Sequence, residues 1–448
     1  MLIDFHEEAK KNFNAKADEL LLQLNLKPNV IRADEFKSKV PAFELKKEDI
    51  LSDFFGSIQD PSGEIIAVYF LNEDKEIGFI DEPFNNYIRL CEGIQKSHSI
   101  KNIVSQTTIR NIVFEWCKDK YKGKTNDNLI EYIKKKIEPE ILEREIWIPI
   151  FQTEVEGDII FSNARITTLD SKIFEKWYES VTQDKDEDSK QKISFQFEKE
   201  REEIEGYAVA VVKTIAEQER AYEIATNEIE AVLDYIRFFS AANFYPKLTS
   251  QLTEFGKEHL RTSSYFTVID NKLCFTSKKV LDKGFIPWRI SRQFYEKILI
   301  DGLKCIETLH CNSDRTEFQT KILEALRLYS SSLLMHNLSS RLIYILTAVE
   351  GLLLRNNTES IQDNVSRRLA FTISKEKLER QKIARNFKEI YSIRSKFIHH
   401  AEQITRDEFI ILTKFILNVW RFFIVILHSP QINTKEEFIN RLEDSIFS

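Results

Sequence analysis

Three features of this 448-residue chain predict an α+β protein dominated by helix, with a mixed α/β N-terminal region and an all-helical C-terminal one. Glycine (11) and proline (9) are scarce, while 30% of residues are charged and 42% hydrophobic, a balance that favours long helices over a turn-rich sandwich. Strand-like apolar runs fall before about residue 280, and from about Ser291 onward the apolar residues recur almost purely at helical spacing. The length exceeds what one ordinary core supports, so two or three domains are expected.

The N-terminal region, residues 1–184, opens with an amphipathic helix over Phe5–Leu26. Glu64–Leu71 and Glu145–Phe151 read as strands, and Asp158–Phe161 with Ala164–Thr168 as a hairpin. Helical patterns occupy Pro83–Gln95, Thr107–Tyr121 and Leu129–Ile137. The polar run Val181–Lys192 has almost no apolar anchor and is read as an exposed linker and the domain boundary.

A mixed middle region, residues 195–300, follows. Tyr207–Ile215 reads as a strand and Arg220–Phe239 as a long helix. Ser264–Ile269 and Lys272–Thr276 form a hairpin about Asp270-Asn271, residues that tolerate the positive φ of a two-residue turn. Residues 301–448 are helical. Thr405-Arg-Asp-Glu408 has capping-box spacing, and the apolar run Phe415–Leu427 begins soon after it. That run is interrupted by Asn418 and Arg421 and falls short of the ~20 residues a membrane span needs, so it is assigned to the core, and no membrane association is expected.

Several function classes drop out. The N-terminus carries acids in place of the basic and apolar stretches of a secretory signal, which points to the cytoplasm. The five cysteines include no C-x-x-C pair, and His310-Cys311 has no second ligand pair nearby, so neither a metal nor a cofactor is expected. No glycine-rich phosphate loop occurs, which excludes nucleotide-driven motor or kinase chemistry of that type.

Charge is concentrated. Between Asn364 and Lys396, ten Lys/Arg stand against three acids, a local +7 in a chain of net −7 that leaves −14 elsewhere. Such a surface attracts a polyanion. It leads into Arg394, four intervening residues and His399: a permanent cation able to grip phosphate beside the side chain that titrates near neutrality.

The ordered surroundings extend that pair. Ser340–Leu354, containing Glu350, is followed by Ser366-Arg-Arg-Leu-Ala370 and then by Glu389-Ile-Tyr391-Ser-Ile-Arg394-Ser395-Lys-Phe-Ile-His399. Over about residues 313–430 this succession resembles the Apea-like branch of the HEPN superfamily. It departs from the family in carrying His400 where a glycine usually follows the histidine.

The resemblance implies a four- or five-helix bundle that pairs as a homodimer and acts as a metal-independent endoribonuclease of toxin, abortive-infection or antiviral type. In that reading Arg394 stabilises the scissile phosphate, His399 is the general acid/base and Ser395 is the polar residue beside the arginine. His400, Glu350 and Tyr391 are supporting candidates, and Arg367, Arg368 and Lys396 are candidate RNA contacts. Residues 1–184 would sense a phage or cellular trigger. The alternative is a HEPN module that binds nucleic acid or protein without catalysis.

Helix geometry adds a constraint that is independent of the family. At about 100° per residue, Arg394 lies within the apolar arc of Ile383, Phe387, Ile390, Ile393, Phe397 and Ile398, whereas His399 lies about 140° away. Either the helix ends or distorts near Ile398, or the site is shared between two chains. Glu350 also falls in an apolar arc, between Leu346, Val349 and Leu353, so a buried Glu350–Arg394 ion pair is the structural alternative.

Overall fold

The computed structural model describes residues 3–26, 55–59, 62, 64–72, 75–257, 262–269, 272–279, 288–356, 358–429 and 432–447, without the side chains of Phe55, of 262–279 and of Phe447. Helix predominates and the strands form small sheets, as predicted. Two compact units arise: Met1–Ile146 with Lys213–Ala225, and Trp147–Val212 with Thr226–Ser448. These divisions differ from the boundary expected near residues 184–195.

The first unit contains α1 (Glu7–Leu21), β1 (Asn25–Leu26), β2 (Phe55–Gln59), β3 (Ile65–Asn72), β4 (Lys75–Ile80), α2 (Glu82–Gln95), α3 (Gln106–Tyr121) and α4 (Leu129–Ile137), and leads into β5 (Leu142–Pro149). The first four strands pair antiparallel in the order β1-β4-β3-β2. Phe70 and Phe79, from neighbouring strands, are fully buried and meet Phe114 of α3 edge-on. Gly78 is required there: a Cβ would stand 1.9 Å from the Val68 carbonyl oxygen on the adjoining strand. The returning segment is tied in by Glu217, whose buried carboxylate accepts from the Ser105 N–H (2.8 Å) and from Glu219 and Arg220 in the first turn of the next helix.

The second unit begins with β6 (Thr153–Val155), β7 (Ile159–Phe161), β8 (Ala164–Thr168), α5 (Ser171–Thr182), α6 (Glu187–Ile204) and β9 (Ala208–Ala216) as far as Val212. β7, β8 and β9 pair antiparallel, with Ala164 opposite Val212 and Thr168 opposite Ala208. The expected linker Val181–Lys192 is a correction: it is the turn of a helical hairpin. Asp186 accepts from the Ser189 N–H at 2.9 Å, and Glu187 and Asp188 favour the positive end of α6. The apolar anchors lie further along, where Phe197 and Ile204, with Trp147 and Trp177, pack around the buried Leu169, Phe174, Val209 and Val211.

The chain continues through α7 (Gln218–Arg237), β10 (Thr262–Ile269), β11 (Lys272–Lys279) and β12 (Trp288–Ile290). β10 and β11 form the expected antiparallel hairpin, and its turn, Asp270-Asn271, lies outside the described residues. β12 pairs parallel with β6.

Helices follow one another: α8 (Arg292–Ile298), a kink at Gly302 (φ 142°), α9 (Lys304–Cys311), α10 (Glu317–Ser332), α11 (Leu338–Leu353), α12 (Ile361–Ile373), α13 (Lys377–His400), α14 (Glu408–Leu427) and α15 (Lys435–Phe447). α11, α12, α13 and α14 pack on one another. Among the described helices, α14 is the one long and apolar enough to cross a membrane by length and composition. Here it is a packed helix, burying Phe415, Val419 and Phe422, with Arg421 bonded to Glu379 and to the Ile373 carbonyl. Its start has the expected box, with Thr405 N–H on Glu408 (3.0 Å) and Glu408 N–H on the Thr405 hydroxyl (3.3 Å).

α11 is fixed by Arg341. Fully buried, it donates to the carbonyls of Ala242, Pro246 and Leu248, and burial among neutral groups pushes its pKa down to about 10.

Candidate functional site

Three helices carry the residues singled out from sequence. Glu350 is in the last turn of α11, Arg367 and Arg368 are on α12, and Tyr391, Arg394, Ser395, Lys396, His399 and His400 are on α13. Ile383, Phe387, Ile390 and Ile393 are buried and set the rotation of α13, so Arg394 comes to the edge of the packed face, half-buried.

The Arg394 guanidinium lies 5.5 Å from the centre of the Tyr391 ring, which itself stacks on Phe387. Burial raises the pKa of Tyr391, the nearby Glu350 carboxylate adds to the rise and Arg394 opposes it. Glu350 likewise has its pKa raised by burial, against the pull of the Arg394 charge. The two do not close into an ion pair: Glu350 Oε1 is buried without a hydrogen-bond partner, and no described contact joins it to the guanidinium. The structural alternative of a closed Glu350–Arg394 pair is therefore not what forms.

α13 neither ends nor distorts near Ile398. It runs through His400 and stops at Ala401, which takes the left-handed conformation (φ 56°) while its N–H donates to the Phe397 carbonyl. His399 and His400 are exposed in the last turn, their rings 6.5 Å apart. No described contact links either histidine to Arg394. Within one chain the arginine and the histidines remain on separate faces of an unbroken helix, while half-buried Ser395 adjoins Arg394 in sequence.

The basic candidates divide. Arg368 is a correction: it is 1% exposed and cannot reach an RNA phosphate. It forks onto Glu359 at 2.7 and 2.9 Å, bonds Glu443 and donates to the Leu353 carbonyl, so it joins α11, α12 and α15. Arg367 is half-buried and bonds Asn364 at 3.3 Å. Lys396 is exposed but engaged with Glu408 at 3.0 Å. Among the described residues no group of three or more His, Cys, Asp and Glu is placed to hold a metal.

Two polar constellations outside this region were missed from sequence. His310 Nε2 lies 2.9 Å from Glu228, and its Nδ1 lies 3.4 Å from the Tyr235 hydroxyl. The available signal was the seven-residue spacing of Glu228 and Tyr235, which puts both on one face of α7. Asp234 joins Arg237 and Arg327. Its i,i+3 relation to Arg237 was legible, but the distant Arg327 was not. Comparison of the chain with family models, with curated proteins and with solved structures returns no match.

Proposed function

We propose that this chain is a HEPN-type endoribonuclease that acts without a metal in the cytoplasm, as a toxin or antiviral abortive-infection effector, with the N-terminal region sensing a phage or cellular trigger. The observation that carries this reading is the Arg394 guanidinium: half-buried, against Tyr391, near a Glu350 whose Oε1 is buried without a hydrogen bond, and held by no ion pair among the described residues. A structural arginine at such an edge is normally paired, as Arg368 is.

The site is composite. Because α13 is unbroken, Arg394 of one copy acts with His399 of a second copy in a homodimer. Arg394 donates to the non-bridging oxygens of the scissile phosphate and stabilises the charge that builds there. His399 exchanges the proton, either taking it from the 2′-hydroxyl or giving it to the departing 5′-oxygen. The 2′-oxygen bonds to phosphorus, the bond to the 5′-oxygen breaks, and the products are a 2′,3′-cyclic phosphate and a 5′-hydroxyl. Ser395 and His400 flank these groups, and the Glu350 carboxylate supports the Arg394 charge from nearby without bonding it.

Cleavage of labelled single-stranded RNA in the presence of a chelator tests the reading. Wild-type protein should cut, and Arg394→Ala and His399→Ala should each lose about 10²-fold or more. Undiminished cutting by either variant removes that residue from the site. The separation of Arg394 from His399 within one chain favours a second reading, a non-catalytic HEPN binding module, which predicts RNA binding with no cleavage by any variant.

A further inference from the structure

The exposed side of α13 carries a stripe of basic residues, of which the proposed chemistry uses only His399. At about 100° per residue, Lys382, Arg385, Lys396 and His399 fall within an arc of about 100°, opposite Arg394. This stripe borders a groove of about 480 Å³ between α13 and α14, lined by Lys382, Arg385 and Lys414 above Ile383, Ile411 and Leu417. None of these three cations is held in a hydrogen bond or ion pair among the described residues, and Arg385 and Lys414 are exposed.

The groove is set by internal bonds. Asn386, buried in α13, donates to the Ile411 carbonyl of α14 at 2.9 Å and accepts from Asn418 at 3.2 Å. Two acids also line it. Glu379 accepts from the Ser374 hydroxyl and pairs with Arg421 at 2.8 Å, which with the nearby Lys382 charge hold its carboxyl below the usual range, and Glu389 is exposed. Three cations that make no hydrogen bond or ion pair among the described residues therefore line the groove with one acid, Glu389, that makes none either, over an apolar floor on which Leu417 is 39% exposed.

We infer that this groove binds the phosphodiester backbone of a single RNA strand: Lys382, Arg385 and Lys414 contact successive phosphates, a ribose or base rests on Ile411 and Leu417, and the strand runs along α13 toward His399. The inference rests on reading the chain as an RNA-acting protein. It assigns the binding track to residues other than Arg367 and Arg368. A groove between two helices with apolar walls suits a flexible strand whose bases are free to stack, and the cations supply the salt-dependent part of the affinity.

The test is the affinity of a fluorescein-labelled 20-nucleotide single-stranded RNA for full-length protein carrying His399→Ala, in chelator, by anisotropy across a salt series. Adding Lys382→Ala, Arg385→Ala and Lys414→Ala should weaken binding about tenfold or more and make the log–log salt slope shallower by about 2. Removing the same charge outside the groove, with Lys375→Ala, Lys377→Ala and Lys388→Ala, should cost less than about twofold. Circular dichroism melts check that each variant folds. Groove-variant affinity within about twofold of the parent, or an equal loss in the control, overturns the inference. The nuclease reading stands or falls separately: protein that binds through the groove but cuts no RNA keeps the groove and loses the chemistry, and protein that cuts while the groove variant binds normally does the reverse.

Discussion

Arg394 and Arg368 are arginines of one basic segment with opposite environments, and they predict opposite mutational outcomes. Arg368 is buried against Glu359 and Glu443, so Arg368→Ala should cost about 3–5 kcal/mol in urea unfolding by stranding two carboxylates. Arg394 has no ion pair among the described residues, so Arg394→Ala should stay within about 1 kcal/mol of wild type, which allows loss of activity to be read without loss of fold. The Arg368 guanidinium also holds the Glu359 carboxyl at about 2, below its ordinary 4.5. A carboxylate depressed in the folded state contributes stability that is in place above the unfolded pKa and is lost as pH falls through the folded one. Unfolding midpoints should therefore drop as pH goes from about 4.5 to about 2, and Arg368→Ala should flatten that drop. The arc test applied to Arg394 separates the two arginines of α12, since at about 100° per residue Arg368 lies about 60° from the buried Val365 and Arg367 about 160° from it. The missing pair between Glu350 and Arg394 was not legible, because spacing fixes the face of a helix and leaves the last few ångströms between two helices open.

α13 ends on a residue poorly suited to its conformation. Ala401 sits at φ 56°, where a Cβ is disfavoured, so Ala401→Gly should stabilise the protein by about 1 kcal/mol. The box at the start of α14 predicts the reverse: Thr405→Ala should cost about 1 kcal/mol by freeing the Glu408 N–H. Both are read as shifts in the urea midpoint at constant slope. The Thr405–Glu408 box was legible because its residues are three apart and capping is local chemistry. The α5–α6 hairpin was missed although Asp186, Glu187 and Asp188 spell a helix start, because the charge density of the run outweighed its capping signal. Helical extent was otherwise readable wherever an amphipathic stripe existed, and the expected helix over Phe5–Leu26 shortens to Glu7–Leu21 where Asn25 and Leu26 pair with β4.

Over the whole molecule, the predominance of helix followed from composition, but the partition did not. A unit built from Met1–Ile146 and Lys213–Ala225 is discontinuous, and no local composition shift announces that a later segment returns to an earlier one. The hydrogen bond from the Ser105 N–H to the Glu217 carboxylate spans 112 residues and is equally invisible to a sequence window. The proposed site has the same character: sequence supplied Arg394 and His399, the unbroken helix keeps them on different faces, and the proposal brings them together through a second copy. The most direct measurement mixes two inactive proteins, Arg394→Ala and His399→Ala, under conditions that let subunits exchange, and assays RNA cleavage in chelator. A composite site predicts recovery toward about a quarter of wild-type activity, since half the dimers are mixed and each mixed dimer keeps one intact site of two. Wild-type cleavage with no recovery in the mixture would contradict a site shared between two chains.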